Sequence, residues 1–285
     1  MMRVVTFRAS FALAGLFLSA LPASAQMLGT SARQMSAGSW KVLAYYQGVQ
    51  DQDLSFSLTG DGTCAGGAAA PASNVSFPCG TTGKVSGEGS GGAAILKVIH
   101  QPWENLQYYA TVGVGDYSLR VASVSTVNSL TGDSPGLLYS FGARALLWPD
   151  TEVPGVLVVP ALAVDASVGW QQYRFNGMQP ARTAAENQIN QRLDLLQTQV
   201  ALETSHRFKF DGTRWALEPY GGLKWLRTQA WLKDLKDGGR VGGIKDTAAP
   251  FVGIEVPLHE KESLFAEASF VNGVQYAAGL NLRFK

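Results

Sequence analysis

Charge is scarce in this chain. Of 285 residues only 16% are charged, and 23 Lys+Arg against 22 Asp+Glu leave a formal net charge of +1. Soluble globular domains carry about 25% charged residues. No basic field is present to attract a phosphate backbone, so nucleic acid is not an expected partner. Cysteine is rarer still. Two in so long a chain exclude a disulfide-stapled miniprotein. Neither has a second ligand at finger-like spacing, so no metal site is expected, and no motif calls for a cofactor. Past the first 25 residues no run reaches about 18 consecutive apolar residues, so no helical membrane span is expected. What the chain does contain, 46% hydrophobic residues and 10% aromatics, excludes intrinsic disorder.

Residues 1–25 read as a cleaved signal peptide. Arg3 and Arg8 supply the positive start, Ala9 to Leu21 the apolar stretch, and Ala23-Ser24-Ala25 a small-x-small cleavage site before Gln26. The apolar stretch is too short to span a bilayer. Export places Cys64 and Cys79 in an oxidising compartment, and the Gly/Ala/Pro/Ser-rich segment between them is expected to be closed by a disulfide. Residues 26–38 are expected to form a short N-terminal periplasmic segment.

Beyond residue 38 the dominant period is two. Tyr276, Ala278, Leu280, Leu282 and Phe284 fall on one face, and Gln275, Ala277, Gly279, Asn281 and Arg283 on the other. Leu137 to Leu147, Leu106 to Val114 and Trp215 to Trp225 alternate in the same way. Such strands exceed the usual five or six residues and match the roughly 9–11 that cross a bilayer at a tilt. Short polar links (101–104, 149–154, 211–212, 259–262) alternate with long ones (51–92, 122–135, 176–186, 234–246). Tight periplasmic turns and long extracellular loops are the layout of an outer-membrane barrel. The expectation is therefore an all-β, transmembrane, antiparallel up-and-down β-barrel over 39–285. About ten strands are expected, near 39–49, 93–100, 105–119, 136–148, 155–175, 188–209, 213–232, 248–258, 262–270 and 273–284. Twelve would follow from an extra hairpin within 54–92. In 188–210, Ile189, Leu193, Leu196 and Val200 also fit helical spacing, and a strand there would need a bulge at Leu195-Leu196.

The less apolar face carries Gly, Ala, Ser, Thr, Gln and Tyr with a few charges of both signs: Lys41, Arg144, Asp165, Glu203, Glu218, Lys224, Glu255, Glu267 and Arg283. These suit a polar lumen better than a solvated exterior. Trp40, Trp103, Trp148, Trp170, Trp215, Trp231 and Phe284 near strand ends suit headgroup girdles. His100, His206 and His259 each fall beside a short turn, at the periplasmic end. Ser205 and His206 point to opposite faces and cannot pair as nucleophile and base. Lys233, Lys236, Arg240 and Lys245, with Asp234, Asp237 and Asp246, form a charged loop that could meet lipopolysaccharide phosphate.

The chain resembles the small outer-membrane β-barrel superfamily, of the opacity or OmpA-type transmembrane kind. The resembling features are the signal peptide, Pro219-Tyr220-Gly221-Gly222-Leu223, Leu264-Phe265-Ala266-Glu267 and the closing Ala278-Gly279-Leu280-Asn281-Leu282-Arg283-Phe284. The last resembles the C-terminal signal read by the barrel-assembly machinery, with Tyr276, Leu280, Leu282 and Phe284 as its apolar positions. Lys285 follows the aromatic that normally ends such a chain. The resemblance implies a bacterial outer-membrane location with outer-membrane lipids, including lipopolysaccharide, as partners. It implies a non-enzymatic structural or adhesive role through extracellular loops, which would meet an unidentified ligand. The alternative is a small pore for ions or solutes.

Overall fold

The computed structural model describes residues 27–32, 35–58, 83–122, 127–132, 134–153, 157–180, 187–210, 216–236, 238, 240–270 and 272–284. Residues 1–25, both cysteines and Trp215 lie outside them, so the signal peptide and the Cys64–Cys79 pairing stay expectations. The strands are β1 (Ser39–Leu58), β2 (Gly83–Trp103), β3 (Leu106–Ala122), β4 (Val127–Thr131), β5 (Gly136–Trp148), β6 (Thr151–Val153), β7 (Leu157–Val159), β8 (Ala161–Pro180), β9 (Asn187–Ser205), β10 (Phe208–Lys209), β11 (Ala216–Asp234), β12 (Arg240–Pro257), β13 (Glu262–Ser269) and β14 (Val274–Phe284). No helix occurs among the described residues.

Ten of these strands close a ring. The order is β1, β2, β3, β5, β8, β9, β11, β12, β13, β14 and back to β1, each neighbour antiparallel. The seam runs from Trp40↔Phe284 to Gln50↔Val274. Closure satisfies every ladder N–H and C=O without an edge, which lipid requires. The start of β1, the end of β14 and the tight turn after Trp103 lie at one end of the ring, the one expected to face the periplasm.

Alternation decides the faces. Val112, Leu137, Phe141, Val168, Leu202, Leu223, Val252 and Leu264 point outward, and Phe141 and Leu223 are each 61% exposed. An apolar band of that extent belongs against lipid rather than water. Trp40, Trp103, Trp148, Phe208 and Phe284 rim its periplasmic edge, and Trp170 and Trp231 stack at its outer edge with centroids 5.7 Å apart.

Above the membrane the wall changes composition. β5 is short, and β4 takes its place by pairing β3 on one side and β8 on the other. The β13–β14 hairpin is also short, and above it β12 reaches β1 at Ser57↔Gly242. The ring of ten thus narrows to eight: β1, β2, β3, β4, β8, β9, β11 and β12. It closes over a core of Val49, Leu54, Tyr117, Leu119, Leu130, Tyr173, Phe175, Met178, Leu193, Leu195 and Leu232.

Several expected boundaries move. Much of the expected 51–92 loop is strand, because β1 continues to Leu58 and β2 begins at Gly83. The glycines there suggest a loop, yet Gly89 sits under the Tyr117 ring, where a Cβ would meet the hydroxyl. The extra residues lengthen one hairpin and leave the ring at ten. Expected loop 122–135 contains β4, and 176–186 and 234–246 are shortened by β8, β9, β11 and β12. The strand expected from 155 starts at Ala161, since Pro160 has no N–H for a ladder; β6 and β7 form a separate hairpin before it. In β9 the register runs unbroken from Gln191 to Ser205 against β11. The expected bulge at Leu195-Leu196 is absent because Leu193 and Leu195 already face inward, into the outer core.

Candidate functional site: the barrel lumen

The lower lumen holds a peptide. Residues 27–32, expected in the periplasm, lie inside the barrel instead, with Met27, Leu28, Thr30, Ser31 and Ala32 all buried. Their apolar side chains find inward pockets: Met27 and Met35 join Leu43, Tyr45, Ile95, Ile99 and Phe265, while Leu28 packs on Ala201, Tyr220 and Phe251. The lumen then recognises the backbone of this segment. The amides of Leu28 and Gly29 donate to the two oxygens of Glu267 at 3.3 and 2.8 Å. Lys97 Nζ donates to the Leu28 carbonyl at 3.0 Å, and Arg144 Nη1 to the carbonyls of Thr30 and Ser31 at 3.2 and 3.0 Å. Ser31 N donates to Glu255 at 3.2 Å and Ser31 Oγ to Glu218 at 2.5 Å. Gly29 has φ +67, the left-handed conformation that lets successive amides converge on one carboxylate.

The wall charges form three connected nodes. Lys41 bridges Glu255 at 2.9 Å and Thr30 Oγ1 at 2.5 Å, and Glu255 also accepts from Ser263 and Asn281. Arg144 lies between Asp165 at 3.3 Å and Glu203 at 3.4 Å. Lys224 meets Glu267 at 2.5 Å. Eight of the nine sequence-derived charges, all but Arg283, are buried on the inner wall; Arg283 is half-buried beside the periplasmic turn, where its amide donates to the Lys261 carbonyl. Lys97 was missed. It alternates with Ile95 and Ile99, against Leu96 and Val98 on the other face, so neither face of that stretch looks like a lumen.

Tyrosines lean over glycines to reach these nodes. Tyr220 covers Gly253 and donates to Glu267 at 3.1 Å; Tyr109 covers Gly142 and donates to Asp165 at 2.7 Å. A Cβ on Gly253 would stand 2.2 Å from the Tyr220 ring. Gly253→Val should therefore displace Tyr220 and cost about 1–3 kcal/mol by overpacking. Urea unfolding of the refolded barrel, read by its gel shift, checks this.

Between the charged nodes and the outer core lies a polar belt. Ser140, Ser167, Gln197, Gln199 and Thr228 are buried there, and both amide atoms of Gln199 lack a partner among the described residues.

Of the C-terminal positions, Tyr276, Leu280, Leu282 and Phe284 lie on the outer face of β14, between β1 and β13. The histidines stay at the periplasmic end. His100 stacks on Trp40 with centroids 4.1 Å apart, His206 Nδ1 lies 2.9 Å from Asp150, and His259 sits in the β12–β13 turn. Among the described residues no group of three His, Cys, Asp or Glu side chains is placed to hold a metal ion. Lys245 of the expected basic loop pairs with Asp53 of β1, and Asp246 with Arg227.

No family model matches the sequence, and no curated protein matches it. Solved structures do. The outer membrane protease OmpT from Escherichia coli is similar over 89% of this chain and 100% of its own, at 7% identity and a TM-score of 0.50. The translocator domain of the autotransporter NalP from Neisseria meningitidis matches over 88% and 89%, at 13% identity and TM-score 0.43. OprG from Pseudomonas aeruginosa matches over 87% and 96%, at 10% and 0.41. At these identities the likeness is one of fold. The chain folds as an antiparallel up-and-down β-barrel of about ten strands, the fold it shares with the outer-membrane protease.

Proposed function

We propose that this is a closed, non-enzymatic barrel of the opacity or OmpA-type class, which serves the cell envelope through its outer hairpins rather than by conduction. The observation that carries the reading is a lumen occupied at two levels, by residues 27–32 below and by the apolar core above. A ring of about ten strands already encloses little more than its own side chains. The strands β1 and β2 extend 20 and 21 residues, well past the roughly 9–11 that cross a bilayer, which makes this hairpin the contact element.

A second reading, a pore gated by the lumen segment, is favoured by one observation. The segment is held by side chains and joins no ladder among the described residues, where the polar belt above it also carries unpartnered amide and hydroxyl atoms. Planar-bilayer conductance of the refolded mature chain separates the two. The closed reading expects a heat-modifiable barrel that is electrically silent, and still silent when residues 27–36 are deleted, because the outer core remains. Discrete steps from the intact chain would overturn it. Steps from the deletion alone would establish the gated pore.

A further inference from the structure

The outer face of the barrel carries four cations in a single cross-strand row. Arg174 of β8 is opposite Arg192 of β9, Arg192 opposite Lys233 of β11, and Lys233 opposite Arg240 of β12. At the usual inter-strand spacing the row is about 14 Å long. Like charges directly opposite on neighbouring strands repel. Among the described residues a buried carboxylate answers the two central ones. Asp194 lies directly beneath Arg192, almost wholly buried although it is on the outer face, and it accepts from Arg192 and Lys233 at 3.2 Å each and from Gln172 at 3.0 Å. It fixes the two central cations in place with a single negative charge. Nearby, Asp246 pairs with Arg227. Below the row lie Trp170 and Trp231, and the Arg240 guanidinium sits 5.2 Å from the Trp231 ring centre.

The position says what the row meets. It stands just above the aromatic edge of the apolar band, where headgroups begin. Strand tilt also makes it climb. Arg174 is 13 residues beyond the start of β8 at Ala161, whereas Lys233 is 17 beyond the start of β11 at Ala216. A ligand that follows it needs acidic groups at more than one height above its acyl chains. We propose that Arg174, Arg192, Lys233 and Arg240 form a binding site for the phosphorylated, acidic-sugar headgroup of an outer-leaflet glycolipid, with Trp170 and Trp231 against its acyl chains. One arginine at each end, Arg174 and Arg240, and the central Arg192–Lys233 pair held by Asp194 supply preorganised donors for phosphate and carboxylate oxygens. The site lies outside the lumen and holds whether or not the barrel conducts.

The test uses the full mature chain refolded in neutral detergent, with bound lipid counted by native mass spectrometry. The probes are lipid A bearing two acidic core sugars, the same molecule dephosphorylated, phosphatidylglycerol and inorganic phosphate. Arg174→Gln/Arg240→Gln is the first variant, because neither residue touches Asp194 and the barrel should fold. Arg192→Gln/Lys233→Gln is the second, with folding checked by heat-modifiable migration. The phosphorylated glycolipid should be retained by the wild type and bind about tenfold or more weakly to the first variant, a loss of 1.4 kcal/mol or more. Dephosphorylation should weaken it similarly, and phosphatidylglycerol and inorganic phosphate should not compete. Equal retention by the folded variants would overturn the site. Equal binding of phosphatidylglycerol, or competition by inorganic phosphate, would reduce it to a general anion surface and overturn the glycolipid assignment.

Discussion

Replacing Arg144 with methionine should lower the unfolding free energy of the barrel by about 3–5 kcal/mol, the cost of leaving buried charge without its partner. The guanidinium lies between Asp165 and Glu203, both fully buried, and also holds the Thr30 and Ser31 carbonyls. Its removal strands two carboxylates 3.3–3.4 Å from where their counter-charge stood and frees two carbonyls. Tyr109 still donates to Asp165, which softens one loss and not the other. The charge explanation has its own check. Arg144→Met combined with Asp165→Asn and Glu203→Gln should recover more than half of the lost stability, because a wall with its charges removed together has nothing left to neutralise. Urea titrations in lipid vesicles, read by the shift between folded and unfolded bands, measure both. If the single variant unfolds where the wild type does, the node is solvated and the lumen is open to water.

The same node marks where sequence reading reaches and where it ends. The strand pattern was legible because two-residue alternation is a local property. Leu137, Tyr139 and Phe141 against Leu138, Ser140 and Gly142 state their faces without reference to any partner strand. The charges were legible for a related reason: an isolated Arg144 or Glu218 in an otherwise uncharged strand is conspicuous. Lys97 was not, since both faces of its strand are apolar.

The lumen segment was invisible on different grounds. Met27-Leu28-Gly29-Thr30-Ser31-Ala32 has no period and no charge, and the wall grips its backbone, which every sequence possesses. The outer closure was hidden because it depends on non-local length. β4 can replace β5 in the wall only because β5 stops short, and β12 meets β1 only because β13 and β14 do. Glycines misled for the reverse reason. Gly87, Gly89, Gly91 and Gly92 look like a loop in isolation, whereas Gly89 makes room for a tyrosine from the next strand.

Leu223→Arg should cost about 2–4 kcal/mol in a bilayer, the depth-dependent penalty of a cation on the lipid face near the midplane. Leu223 lies on the outer face in a row with Val164, Leu202 and Pro250, between the periplasmic aromatics and Trp231. Its 61% exposure gives the experiment its force. On a water-soluble barrel an exposed Leu→Arg change falls within about 0.5 kcal/mol of neutral and often improves solubility. In lipid the guanidinium must snorkel past several apolar rows or thin the bilayer around it. Leu258→Arg, in the β12–β13 turn at the periplasmic rim, should cost only about 0–1 kcal/mol by the same depth dependence. The difference between the two variants therefore reports where the bilayer sits on the barrel, independent of how well arginine suits a strand. A Leu223→Arg chain as stable in vesicles as the Leu258→Arg chain would place that face in water. The apolar band would then have to be covered by a partner protein instead of lipid.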